Sequence, residues 1–140
     1  MFTPVVVAAA IVDDLTAPTR ILGAERSYPE KWRGFFEFPG GKTEPGEPPE
    51  EALRRELREE LSVEVVVGPR LPQVWPAHGG YDMYVYLCVF APGAIPQVGD
   101  AHLSLEWVDL VDPLTIKWLP ADHAILAAIQ THSAVTRPKA

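Results

Sequence analysis

Glu56, Glu59 and Glu60 stand at i, i+3 and i+4, which puts three carboxylates on one face of an α-helix. Like charges at that spacing repel, so the cost needs a reason. A divalent cation supplies one. Hard cations such as Mg²⁺ take oxygen ligands, commonly a few carboxylates completed by water and substrate phosphates. The competing reading is a solvated face stitched by i,i+4 ion pairs, here Glu51 with Arg55 and Arg55 with Glu59. The flanks weigh against it. Phe38-Pro39-Gly40-Gly41 precedes the helix, and Glu44-Pro45-Gly46-Glu47-Pro48-Pro49 bridges into it. Paired glycines let a backbone come close to a ligand, an entry that a surface helix does not require. Together these residues point to phosphate chemistry.

The helix that must hold the carboxylates is predicted over residues 49–61. Pro49 suits a first helical position, and Glu50 and Glu51 suit the positive N-terminal end. Leu53, Leu57 and Leu61 give it an apolar stripe for the core. Val5 to Val12 reads as a central strand, apolar on both faces. A second strand, Arg20 to Arg26, follows a turn at Ala17-Pro18-Thr19. Val63 to Val67, Tyr81 to Phe90 and Leu103 to Leu110 read as further strands, with a turn at His78-Gly79-Gly80. Pro120 to Gln130 closes the chain as a helix with Ile125, Leu126 and Ile129 inward. Helices interleaved with strands around a hairpin-like middle predict an α/β (α+β) fold, a mixed sheet between helices on two sides.

With 140 residues the chain can bury the core of one domain, expected over residues 1–130, with a polar tail at 131–140. The net charge of −7 disfavours polymeric nucleic acid as a partner, although a nucleotide with metal-screened phosphates stays compatible. Cys88 is the single cysteine, which excludes an internal disulfide and suits a reducing, cytoplasmic compartment. Its apolar neighbours mark it as a structural thiol. Val5 to Val12 is too short to span a membrane, and no targeting segment is expected.

Residues 41–63 resemble the Nudix box, whose pattern is G-x5-E-x7-R-E-U-x-E-E-x-G-U with U aliphatic. Gly41, Glu47, Arg55, Glu56, Leu57, Glu59, Glu60 and Val63 fall on pattern positions. Ser62 departs, standing where the pattern has a glycine. That position ends the helix, where a left-handed conformation is common and serine fits less well. The resemblance implies an α/β/α sandwich and catalytic roles for Arg55, Glu56, Glu59 and Glu60. It also implies that Glu56, Glu59, Glu60 and the Gly40 carbonyl hold Mg²⁺, with Mn²⁺ as a substitute. Arg55 is expected to orient the glutamates from behind, with Glu47 in the same network. Which glutamate acts as base stays open. Some relatives add a later carboxylate in a segment reading Glu-His-x4-Trp. Here Ala101 stands at the glutamate's place and His102 keeps its own. Asp100 could substitute, the role could be absent, or His102 could act as a base. The plainest reading of His102 is a polar residue at a strand edge.

Outside the box the chain is similar to the MutT and CTP-pyrophosphohydrolase branch. Gly23-Ala24-Glu25-Arg26, Phe36-Glu37-Phe38-Pro39-Gly40-Gly41-Lys42 and Trp118-Leu119-Pro120-Ala121-Asp122 carry that likeness. By matched position, Arg26 would contact phosphate or sugar, Phe38 the base and Asp122 the base edge. Against these stand an exposed strand arginine, a core phenylalanine and a helix N-cap aspartate. Trp32, Phe35, Trp75, Tyr81 and Tyr84 are the other candidates for stacking on a base. The expected activity is Mg²⁺-dependent hydrolysis of a nucleoside triphosphate to monophosphate and pyrophosphate, sanitising oxidised-guanine or cytosine-type nucleotides. Cleavage of a dinucleoside polyphosphate or nucleotide sugar, and a non-catalytic nucleotide sensor, are the alternatives. The partner is then a small-molecule nucleotide, and the protein a monomer or homodimer.

Overall fold

The structure, a computed structural model, describes residues 1–132. The expected tail therefore falls outside the described residues from 133 onward. The elements in chain order are β1 (Val6–Ile11), β2 (Arg20–Arg26), β3 (Phe36–Glu37), β4 (Gly40–Lys42), α1 (Pro49–Leu61), β5 (Val65–Arg70), β6 (Trp75–Pro76), β7 (Asp82–Phe90), β8 (His102–Asp109) and α2 (Asp122–Thr131).

β1 is the axis of the molecule. It pairs parallel with β7, Val6 opposite Met83 through Ile11 opposite Cys88, and antiparallel with β4. Its side chains alternate between two cores, as the period of a strand requires. Val7, Ala9 and Ile11 pack with Leu53, Leu57 and Leu61 of α1. Ala8, Ala10 and Val12 pack with Ile125, Leu126 and Ile129 of α2. The helices thus cover opposite faces of a mixed sheet in the order β4-β1-β7-β5, with β6 also on β7. A second, antiparallel sheet, β3-β2-β8, is separate from it, where the sequence suggests a single mixed sheet. Cys88 is buried in the α1 core, and that burial pushes its thiol up to about 12, in keeping with a structural role.

Helix α1 begins and ends where its residues dictate. Pro49 occupies the first turn, and Ser62 takes the left-handed conformation (φ 57°, ψ 37°) with its N–H donating to the Arg58 carbonyl. Beyond it the chain folds back over the helix end. The Gln97 and Gly99 amides donate to the Leu61 and Glu60 carbonyls at 2.8 and 3.2 Å, satisfying groups that a helix C-terminus leaves open. Ser62 is the one non-glycine residue with positive φ among those described. Glycine carries no Cβ penalty there, so Ser62→Gly is expected to stabilise the protein by about 0.5–1 kcal/mol. A thermal melt would show a midpoint about 2–4 °C higher, and an unchanged midpoint would contradict the strain.

Candidate active site

Strand β4 lies against the middle of α1, so the glycine pair passes directly beneath the glutamates. A Cβ built on Gly41 would stand 2.4 Å from Glu56 Cδ, and one on Gly40 would stand 1.9 Å from the Val7 carbonyl oxygen. Both positions require glycine, for different reasons. Gly41 leaves room for a carboxylate, and Gly40 lets β4 close on β1.

Arg55 organises the face. Its Nε and Nη2 donate to Glu47 at 2.8 and 3.0 Å, and Nη2 also reaches the Lys42 carbonyl at 3.0 Å. Nη1 lies 3.1 Å from Glu56 Oε1 and 3.3 Å from Glu59 Oε2. The bidentate bond to Arg55 holds the Glu47 carboxyl below the usual range. Glu51, expected to face Arg55, pairs instead with Arg54 at 2.5 Å.

The three glutamates differ in environment. Glu59 is exposed, while Glu56 and Glu60 are largely withdrawn from water. Burial raises Glu56, with Arg55 opposing. Burial, then the charges of Glu56 and Glu37, pushes Glu60 up to about 8, and its Oε2 is buried with no hydrogen-bond partner. A hard cation fits these donors: all are oxygens, one buried oxygen is unsatisfied, and the cradle above Gly41 holds another carboxylate. Among the described residues, however, no three His, Cys, Asp or Glu groups converge at ligating spacing. The expected ligand set shares a face without being drawn together, and Arg55 takes up oxygens of two members.

A cleft of about 390 Å³ opens beside this face, lined among others by Arg26, Glu37, Phe38, Gly40, Gly41 and Asp122. The three residues matched to nucleotide contacts therefore share one cavity with the glycine pair. Phe38 lines the cleft and also packs on Trp118 (centroids 5.1 Å apart), so it is core and cleft wall at once. It is the one phenylalanine, tyrosine or tryptophan among the lining residues. Trp32 and Phe35 pack on each other, Tyr81 lies under Lys42, Tyr84 under Arg70, and Trp75 against the α2 core.

Asp122 is not the helix N-cap. It is the first residue of α2, its carboxylate makes no capping bond, and Oδ2 is buried without a partner. Burial, then the charge of Glu37, raises it to about 7, with Arg26 opposing. Because that value lies above the ordinary 3.8, protonation favours the folded state. The stabilisation is complete below about pH 4 and is lost as pH climbs through 7. Urea midpoints of the metal-free protein should therefore fall between about pH 5 and 8, where Glu60 adds a fall of its own, and Asp122→Asn should make the fall shallower by the Asp122 share. A wild-type profile that is flat over this window would rule the effect out.

Geometry bears on two further candidates. His102 begins β8, the edge strand of the β3-β2-β8 sheet, in keeping with a polar residue at a strand edge, but it is not exposed. Its side chain is fully buried at the start of β8, with Nε2 2.9 Å from Glu37 Oε2 and 3.8 Å from Glu60 Oε1. Asp100 is exposed, and its carboxylate makes no hydrogen bond or ion pair, although its carbonyl accepts from Ser27 Oγ. Glu37 was not among the expected site residues. A residue of the cleft lining, it joins Arg26, at 2.5 Å, to the buried His102 behind it. Its partners lie 11 and 65 residues away. The only local signal was its place in the Phe36–Lys42 fragment.

A family model described as "NUDIX domain" matches residues 2–129. The chain belongs to the Nudix family. A putative 8-oxo-dGTP diphosphatase 2 of Mycobacterium tuberculosis (strain CDC 1551 / Oshkosh) is 37% identical over 130 residues, 91% of this chain and 88% of that protein. The CTP pyrophosphohydrolase of Escherichia coli (strain K12) is 33% identical over 123 residues, 88% of each. The crystal structure of a MutT NUDIX hydrolase from Burkholderia pseudomallei superposes with a TM-score of 0.68 at 30% identity, covering 89% of this chain and 96% of that one. This Nudix chain is accordingly a hydrolase with the box in place, and its box helix runs from Pro49 to Leu61. No helix among its described residues is long and apolar enough to cross a membrane.

Proposed function

We propose that this Nudix hydrolase cleaves a nucleoside triphosphate to monophosphate and pyrophosphate, with Mg²⁺ as the working cation and Mn²⁺ as a substitute. An oxidised-guanine or cytosine-type nucleotide is the preferred substrate, and the role is clearance of damaged or modified nucleotides. The observation that carries this is one cleft lined by Asp122, Phe38, Arg26, Gly40 and Gly41, with Gly41 packed against Glu56 of the glutamate face. A triphosphate has its base at one end and its anhydride bonds at the other, and the cavity offers groups suited to each.

Each group has a task that its surroundings allow. The unpartnered Asp122 Oδ2 accepts a hydrogen bond from an exocyclic amino or ring N–H group, such as the amino group of cytosine or the amino and ring N–H groups of guanine. Phe38 offers its face to the base, a contact worth about 1–3 kcal/mol. Arg26 sits where it can meet phosphate or sugar. Glu56, Glu59, Glu60 and the Gly40 carbonyl would hold the cation, which when bound offsets phosphate charge and activates water. Arg55 fixes Glu56 and Glu59 through its own anchor on Glu47. Named relatives acting on 8-oxo-dGTP and on CTP support the same class.

The test is a panel of triphosphates, dinucleoside polyphosphates and nucleotide sugars incubated with Mg²⁺, with pyrophosphate and orthophosphate measured separately. Pyrophosphate from one triphosphate supports the proposal. Turnover of linked diphosphates alone, or binding without turnover, would replace it with the second or third alternative.

A further inference from the structure

His102 has no assigned part in hydrolysis, yet it lies between the cleft and the glutamate face. We propose that His102 is a positioning residue whose buried imidazole bridges Glu37 and Glu60, so that a nucleoside seated in the cleft and a cation held at α1 strengthen each other's binding. The inference rests on the function proposed above and adds to it a coupling between the two halves of the site.

Three observations support the bridge. The first is where the ring sits. The His102 side chain is fully buried and Nδ1 has no hydrogen-bond partner, so the ring makes its polar contacts through Nε2 alone. The neighbours of Nε2 are carboxylate oxygens, which accept, so we assign the proton to Nε2. The second is what it joins. Glu37 gives Oε2 to His102 and Oε1 to Arg26, and Glu60 Oε1 lies 3.8 Å from the same Nε2. One N–H donor thus stands between a carboxylate that holds the cleft arginine and a carboxylate of the box. The third is how firmly the backbone is held. The His102 amide donates to Gly99, Gly99 donates to the Glu60 carbonyl, and Ser27 of the β2 end donates to Ala101. The backbone that carries the ring is thus tied to the C-terminal end of α1.

The physical link is the competition of Glu37 and Glu60 for that single donor. Charge brought to Glu60 by a cation relieves it and leaves Glu37 in place to steady Arg26. Order imposed on Arg26 and Glu37 by a nucleoside holds His102, and through it Glu60, in the position a cation meets. By linkage each ligand must raise the affinity of the other by the same factor.

A nucleoside without phosphates makes this measurable, because it cannot touch the cation directly. Mn²⁺ affinity would be measured by electron paramagnetic resonance with and without saturating cytidine or 8-oxo-2′-deoxyguanosine. In the wild-type protein the nucleoside is expected to tighten Mn²⁺ about five-fold or more, the lower end of ordinary coupling. His102→Leu should bring that ratio to one while both ligands still bind. His102→Gln, which keeps an N–H near the Nε2 position, should retain most of it. The isosteric Glu37→Gln should lose it as His102→Leu does, which covers the case of a leucine variant that fails to fold. A wild-type ratio of one, or a ratio that survives in His102→Leu or Glu37→Gln, overturns the coupling and leaves the proposed activity standing. Failure of both nucleosides to bind the wild-type protein overturns the cleft assignment and the coupling with it.

Discussion

Glu60→Gln is expected to lower kcat by about 1,000-fold, some 4 kcal/mol of transition-state stabilisation, while the protein stays folded. The carboxylate is buried, raised to about 8 and left with an unsatisfied oxygen. Such an oxygen is costly unless a cation or proton meets it, so its retention points to use rather than packing. An amide of the same shape removes the charge and keeps the volume. Between pH 7 and 9 the metal-free variant should be no less stable than wild type, because it no longer buries a carboxylate that ionises through about pH 8. Steady-state turnover with saturating Mg²⁺, beside a urea titration, reads both quantities. Full activity in Glu60→Gln would remove Glu60 from the catalytic set.

The glycine pair provides the second large effect, and its two members should fail differently. In Gly41→Ala the new methyl meets the tip of the Glu56 side chain, which can swing aside. Folding should survive, but the carboxylate is displaced by an ångström or more, and turnover should fall about 100-fold or further. In Gly40→Ala the methyl meets the Val7 carbonyl at 1.9 Å, which is backbone in the central strand. The pairing of β4 with β1 must then open, at a cost of about 3 kcal/mol or more. Thermal melts and turnover measured on both variants separate the cases. Equal loss of stability in the two would refute the distinction.

The sequence carried the local features well and the distant ones poorly. Helix α1 and strand β2 begin and end where period, proline and charge place them, because those signals act within a few residues. The left-handed conformation at Ser62 was legible for the same reason. Strands β3, β4 and β6 have two or three residues each, too few for a period to show, and they exist because longer strands pair with them. Asp122 misled as a cap because an aspartate ahead of an apolar helix looks the same whether its carboxylate turns to the backbone or into a cleft. The buried bridge of His102 depends on Glu37, and nothing near position 102 encodes that partner. Arg26, Phe38 and Asp122 were singled out by likeness alone, and only the fold shows them lining one cavity.

The parallel register of β1 and β7 has a consequence for how the site comes into being. Val6 aligns with Met83 and Ile11 with Cys88, so the strand on which β4 and its glycines rest finds its neighbour 77 residues further on (83 − 6). All of the box is synthesised before that neighbour exists. A chain halted ahead of Asp82 would contain every glutamate of the face and still lack the wall that fixes β1. Contacts so distant in sequence slow folding towards the millisecond-to-second range. Catalytic competence should therefore appear late in refolding, with docking of β7, rather than with the early growth of the helix that bears the reactive groups.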